Sequence, residues 1–456
     1  LKKTNSNNLT EGPIGPLLYK LTVPMIFGIL SMVAFNLVDT YFIGLLGTEP
    51  LAAISFTFPV IFIIAGVSMG LGVGASAAVS RAIGKGDHHE VERLTTDSLI
   101  LSLLIVAVFI LAGILTVDPI FRLLNATDAL LPLIRQYMMI WYPGMLFLVV
   151  PMMGNNVIRA TGDTRTPSLI MLFAVGINAI LDPLLIFGIG PFPRMELQGA
   201  ALATVIARAV TMGLSLYVLI HREKMICFNR PSIEQLFKSW RDVLYVGIPV
   251  SGTNIIIPIG SGVITRIVAS HGTEAVAAFG VGSRVEAFAL TVIMALATVL
   301  GPFIGQNLGA GKCDRIRRGI FLSTRFAILW GLFMTLLLAV SARWAAALFS
   351  DDPKVRSFIA LYMWIIPISY GLQSVIMLVN SALNVMKKPI HASLLMIIHM
   401  FVLYIPFAYL GSKWMGVSGV FGAGSIVRIL TGLGAILLIK IVMDRQQSRI
   451  ESQNCL

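Results

Sequence analysis

From Glu49 to Arg81 no charged residue intervenes, and the same holds from Asp97 to Asp118, Arg135 to Arg159, Asp242 to Arg266, Glu286 to Lys312 and Lys388 to Lys413. Each run meets the requirement of about 20 residues for a helix crossing a bilayer. Inside lipid the backbone must satisfy its own polar groups, which a helix does where water cannot. With 57% hydrophobic and only 12% charged residues, and a mean hydropathy of +0.86, the chain reads as a polytopic all-α membrane protein.

The sequence is written twice. Pro24, Gly47-Thr48-Glu49, Ala52-Ala53 and Gly84 recur 225 positions later as Pro249, Gly272-Thr273-Glu274, Ala277-Ala278 and Gly309. Ala160 and Pro167 answer to Ala382 and Pro389 at a spacing of 222, and Gly199 and Arg208 to Gly419 and Arg428 at 220. The pattern predicts twelve spans, at about 17–46, 51–80, 96–117, 131–154, 167–188, 197–220, 243–269, 276–306, 319–342, 357–380, 390–411 and 416–440. Residues 1–220 form an amino-terminal lobe, 221–241 a linker with an interfacial helix opening at Ser232, and 242–456 a carboxy-terminal lobe. A six-helix repeat preserves orientation, so the lobes are expected to be related by a pseudo-twofold axis along the membrane normal.

Most of the 34 Lys and Arg residues fall on one face, in the amino terminus, the tail and the loops near 81–93, 159–166, 221–241, 308–325 and 384–388. The positive-inside rule makes both termini cytoplasmic. The first sixteen residues lack a signal peptide's apolar core, which leaves the first helix as the insertion signal. The net charge of +12 is dispersed over these loops, so it reports orientation and argues against a nucleic-acid partner. Three cysteines without CxxC spacing imply no disulfide or metal site. The nearest P-loop candidate, GQNLGAGKC at 305–313, has a misplaced glycine and no Ser/Thr after Lys312, which excludes a nucleotide-driven pump of that kind.

Only the first copy carries acids deep in its spans. Asp39 aligns with Ile264 of the second copy and Asp182 with Tyr404. A carboxylate in lipid-facing sequence costs several kcal/mol unless paired or hydrated, and marks a functional site. Asn36 lies three residues before Asp39 and Asn178 four before Asp182, which puts each amide on its acid's helix face; Thr204 adds a hydroxyl in a small-residue run. Desolvation and like charge drive two such acids toward sharing a proton. Pro24 interrupts the first helix and supplies a hinge. Tyr41, Tyr137, Met153, Asn156 and Glu286 are candidate substrate-lining residues, since adaptable Met and aromatic walls suit varied cations.

These features resemble the multidrug and toxic compound extrusion (MATE) transporters of the MOP superfamily, over essentially the whole chain. The resemblance rests on the Pro24 to Asp39 helix, GTEPLAA at 47–53, RAIGKGD at 81–87, RATGDTRTP at 159–167, Asn178 with Asp182, and GAALAT at 199–204. It is strongest to the DinF-like prokaryotic branch, whose acidic proton site lies in the amino-terminal lobe; by resemblance Asp39, Asn178, Asp182 and Thr204 match it. It implies a non-enzymatic multidrug efflux antiporter exporting lipophilic, mostly cationic compounds. The coupling ion is H+, or alternatively Na+, with no cofactor and no metal. The NorM-like branch carries acids in its seventh and tenth helices, and 243–265 and 357–380 contain none. A lipid-linked precursor flippase is the other transport reading; a polytopic lipid enzyme lacks a visible nucleophile or metal cluster. The chain is expected to act as a monomer in the bilayer of a prokaryotic inner membrane.

Overall fold

The computed structural model describes residues 9–229 and 232–454, with the side chains of 447–454 outside the description. The first half runs α1 (Ile14–Gly44), α2 (Thr48–Lys85), α3 (His88–Leu115), the short α4 (Val117–Leu123), α5 (Leu131–Gly144), α6 (Leu146–Ala160), α7 (Arg165–Phe187) and α8 (Glu196–Tyr217), the last extended by a π turn to Arg222. The second half runs α9 (Ile233–Ala269), α10 (Thr273–Gly309), α11 (Cys313–Phe349), α12 (Pro353–Ile365), a 3-10 turn, α13 (Tyr370–Val385), α14 (Pro389–Ile397), a π turn (Ile398–Tyr404) and α15 (Ile405–Asn454). The described residues are helical with no strand.

Ten continuous helical stretches are long and apolar enough to span a membrane, and α5 with α6, bent by 41°, makes an eleventh. The last stretch, 58 residues from Pro389, is far longer than one crossing. It breaks at Gly416, whose φ of 61° lies in the left-handed region, and therefore supplies two spans. The total is the predicted twelve. The fourth span was expected to end near 154 but is the bent α5–α6 pair, with Pro143 beside the break. Its counterpart in the second half breaks at the 3-10 turn Ile366–Ser369, 222 residues on.

Local chemistry explains why the duplicated turns persist. Gly47 and Gly272 have φ of 119° and 108°, where a side chain is strained, so the GTE turn needs its glycine in both copies. Gly86 ends α2 in the left-handed conformation, and Asp87 then caps α3 by accepting from the Glu90 N–H at 2.9 Å. The outward faces are apolar, to the point that Val340 is 88% exposed, whereas Ala75, Ala200 and Ala278 are fully enclosed. Large apolar residues outside and small ones between helices are what a lipid solvent selects. The chain is a multi-pass membrane protein.

The helices group into two units, Val23–Ser251 and Thr10–Thr22 with Gly252–Leu456. The seam thus runs through α1 at Pro24 and through α9, about ten residues beyond the boundary read at 242. The reason is close packing of α9 on α2: a Cβ on Gly70 would stand 2.6 Å from the Ser251 nitrogen, and one on Gly74 would collide with the Val243 carbonyl oxygen. In the second unit, Arg315 donates to the carbonyls of Gly12 (2.7 Å) and Glu11 (2.8 Å), and Lys312 to that of Thr10 (2.9 Å).

The linker corrects another expectation. No separate interfacial helix forms, because Ile233 to Trp240 are the first turns of α9 itself. The segment before it is tied down: Cys227 N–H donates to Thr96 Oγ1 at 2.9 Å, and the Asn229 carbonyl accepts from Arg93 at 3.1 Å.

Candidate functional site

The first unit brings Asp39 of α1, Asn178 and Asp182 of α7, Thr204 of α8 and Tyr137 of α5 together. Asn178 and Asp182 are fully buried, and the Asn178 amide donates to Asp182 Oδ1 at 3.0 Å, as their i, i+4 spacing predicts. Asp39 lies within coulombic range of Asp182, and Tyr137, itself buried, within range of both acids. Thr204 faces Asp39 without closing a full hydrogen bond. Asp39 Oδ1, Asp182 Oδ2, Asn178 Oδ1 and Thr204 Oγ1 are all buried without a hydrogen-bond partner among the described residues.

A buried polar atom left unsatisfied costs about 1–3 kcal/mol. Other buried oxygens without a partner are scattered through the described residues, as at Ser323 and Gln373, but here four of them belong to one cluster around two carboxylates.

Arg208 belongs to the site and was left at a span edge by the sequence reading. It projects from α8 one turn beyond Thr204, lies within coulombic reach of Asp39, and rests its guanidinium 4.6 Å from the Phe35 ring centre. It forms no ion pair within 4 Å among the described residues. Its four-residue spacing from Thr204 was the available signal.

Other candidates are placed elsewhere. Asn36 turns away from Asp39: its amide donates to the Met32 carbonyl of its own helix at 3.0 Å, on an exposed face. Tyr41 is 63% exposed. Met153 is packed in the apolar core among Leu71, Val157 and Leu219 rather than lining a cavity. Asn156 is occupied by the Met152 carbonyl (2.8 Å) and by Arg159 (2.7 Å), and Gly72 packs against it. Glu286 lies in the second unit, ion-paired to Arg428 at 2.9 Å and accepting from the Tyr362 hydroxyl at 2.7 Å. It is a neutralised pair, not an open site. Pro24 sits inside α1 at the seam between the units, where its missing N–H interrupts the helix ladder.

The twelve-helix duplicated fold, with an acidic cluster inside one half, is that of a membrane transporter. The MatE family profile matches residues 24–184 and 249–410, and the chain belongs to that family. It is 40% identical to the FAD transporter of Shewanella oneidensis, over 96% of this chain and 97% of that one. It is 26% identical to the probable multidrug resistance protein YpnP of Bacillus subtilis, over 91% and 92%. The bent form of the Vibrio cholerae MATE transporter VcmN superposes with a TM-score of 0.90 at 30% identity, over 97% of this chain and 99% of that one.

Proposed function

We propose that this MATE transporter exports its cargo in exchange for protons by alternating access, with Asp39 and Asp182 as the proton site. The observation that carries the reading is that Asp39 and Asp182 each hold a buried carboxylate oxygen without a hydrogen-bond partner among the described residues, both in the first half of the duplicated chain. With Asp39 ionised, the first unit accepts cargo; protonation from outside reshapes α1 about Pro24 and releases the cargo outward. Both termini face the cytoplasm of a prokaryotic inner membrane, as the distribution of Lys and Arg supports. Amide and hydroxyl oxygens around the acids could also hold Na+, which is the competing coupling ion.

Two cargo classes follow from different observations. A buried acidic centre next to an aromatic wall favours lipophilic cations, the class implied by the family's multidrug members. The relative at 40% identity, named a FAD transporter, favours the flavin dinucleotide, and Arg208 offers a cation to its phosphates. Inside-out vesicles carrying an acid-inside gradient and no sodium distinguish these readings. Addition of ethidium or of FAD is expected to dissipate the gradient with Asp39 intact and to leave it unchanged in Asp39→Asn; whichever compound does so names the class. Gradient loss that requires sodium, or an Asp39→Asn protein that behaves as wild type, sinks the proton assignment.

A further inference from the structure

An apolar groove of about 560 Å³ runs between α1 and α7 in the first unit, outside the acid cluster. Its α1 wall extends from Val23 and Pro24 through Phe27 to Ala34, and its α7 wall from Arg165 through Leu172 to Val175. The helices run parallel along it: Gly28 packs against Ser168, and farther along Phe35 packs with Ala174. Arg165 is therefore level with Pro24 at one end, where α7 begins, and the other end is purely apolar.

Three features fix what fits there. Eleven residues at about 1.5 Å each give a trough of roughly 16 Å, which is half of the roughly 30 Å hydrocarbon core and hence the depth of one leaflet. The volume lies in the range of about 300–1,000 Å³ typical of ligand sites. The lining's one charge, Arg165, is exposed and has no ion pair or side-chain hydrogen bond among the described residues. The nearest acid in sequence, Asp163, is committed to Thr166 and Arg222. The hydroxyls of Ser31 and Ser168 are turned to the carbonyls of Phe27 and Thr164, so they offer nothing to a polar occupant deeper in the groove.

We propose that this groove is a binding site for an anionic phospholipid, with one acyl chain laid along α1 from Ala34 to Pro24 and the headgroup phosphate on Arg165. A guanidinium matches phosphate geometry and charge, and basic positions between transmembrane helices at the headgroup level select acidic lipids. The site does not depend on the identity of the coupling ion or cargo. Its consequence for α1 is direct: a chain packed against Pro24 and Phe27 braces the helix at its interrupted turn.

The test is a Phe27→Trp protein in bilayer vesicles, its fluorescence corrected for the unsubstituted protein, quenched by brominated-chain phosphatidylglycerol or phosphatidylcholine. Phosphatidylglycerol is expected to be favoured, and Phe27→Trp/Arg165→Gln to lose that preference by about fivefold, while Arg165→Lys retains most of it. Ala34→Leu, which fills the deep end, is expected to lower quenching by both lipids equally. Equal quenching by the two lipids with Arg165 present, or a preference that survives Arg165→Gln, overturns the proposal. So does relief of quenching by added ethidium without headgroup preference, which would assign the groove to cargo.

Discussion

Arg208 and Arg428 stand at matching positions of the duplication, and their surroundings show how the two halves diverged. In the second half Arg428 is closed on Glu286 of α10, with Tyr362 completing the carboxylate. In the first half the position matching Glu286 is Ile61, and the acid facing the arginine has moved to Asp39 of α1. The second pair is a largely enclosed bridge, with side chains 12% and 15% exposed. Removing one partner of such a pair costs about 3–5 kcal/mol, because a charge is left without compensation. Glu286→Gln is therefore expected to lower thermal stability in detergent by more than Glu286→Gln with Arg428→Gln, with proton coupling retained by whichever variant folds. If either variant abolishes coupling while remaining as stable as wild type, Glu286 belongs to the transport chemistry. Asp39 and Asp182 were legible because a carboxylate inside an uncharged run has few structural explanations. Asn36 turns away from Asp39 because helical spacing fixes neighbours in projection only, and an exposed amide can bond its own i−4 carbonyl instead. Tyr41 entered as one of many aromatics; two residues beyond Asp39, it stands on the other face of α1.

At the scale of elements, the RATGDTRTP motif was read as a loop signature, and the structure supplies its physical content. Asp163 accepts from the Thr166 N–H (3.0 Å), the Thr166 hydroxyl and Arg222, which fastens the start of α7 to the end of α8. Burial acts to raise its carboxyl, but the bonds from Thr166 and Arg222 outweigh it and hold the group below the usual carboxylate range. The direction decides the pH dependence: a carboxyl depressed in the folded state contributes stability above its unfolded pKa of about 4 and loses it as pH falls through the folded value. Asp163→Asn is expected to lower Tm at pH 7, with the gap narrowing below about pH 4. A gap that stays constant across this range would show that the carboxylate charge is irrelevant. Span number, repeat and the GTE and GKGD turns were legible because they rest on local rules: length, periodicity, and glycine where φ is positive. The break at Gly416 and the merged start of α9 were not. Both depend on how neighbouring helices meet, which no window of sequence contains.

For the whole molecule, the segment after α8 is tied to the first unit by a pair that no motif announced. Arg93 and Asp97 lie one turn apart on α3, bonded at 2.9 Å and enclosed at 9% and 0% exposure. Arg93 holds the Asn229 carbonyl, and the Asp97 carbonyl accepts from the Trp240 indole at 2.9 Å. The polar stretch between the copies thus lies against the first unit as far as Asn229. The sequence reading gave this stretch only as a linker, because its polarity points to solvent, although the i, i+4 spacing of Arg93 and Asp97 was a usable sign of a local ion pair. Asp97→Ala leaves Arg93 buried without its counter-charge and is expected to cost about 3–5 kcal/mol. The carbonyl of residue 97 remains, so Trp240 keeps its partner, and the change should concentrate in the segment that Arg93 holds. Faster tryptic cleavage after Lys224 is the expected readout, with Arg93→Met/Asp97→Leu recovering much of the resistance. Unchanged cleavage in Asp97→Ala would mean that the Thr96 bond to Cys227 and local packing suffice to hold the linker. The pair would then stabilise α3 alone.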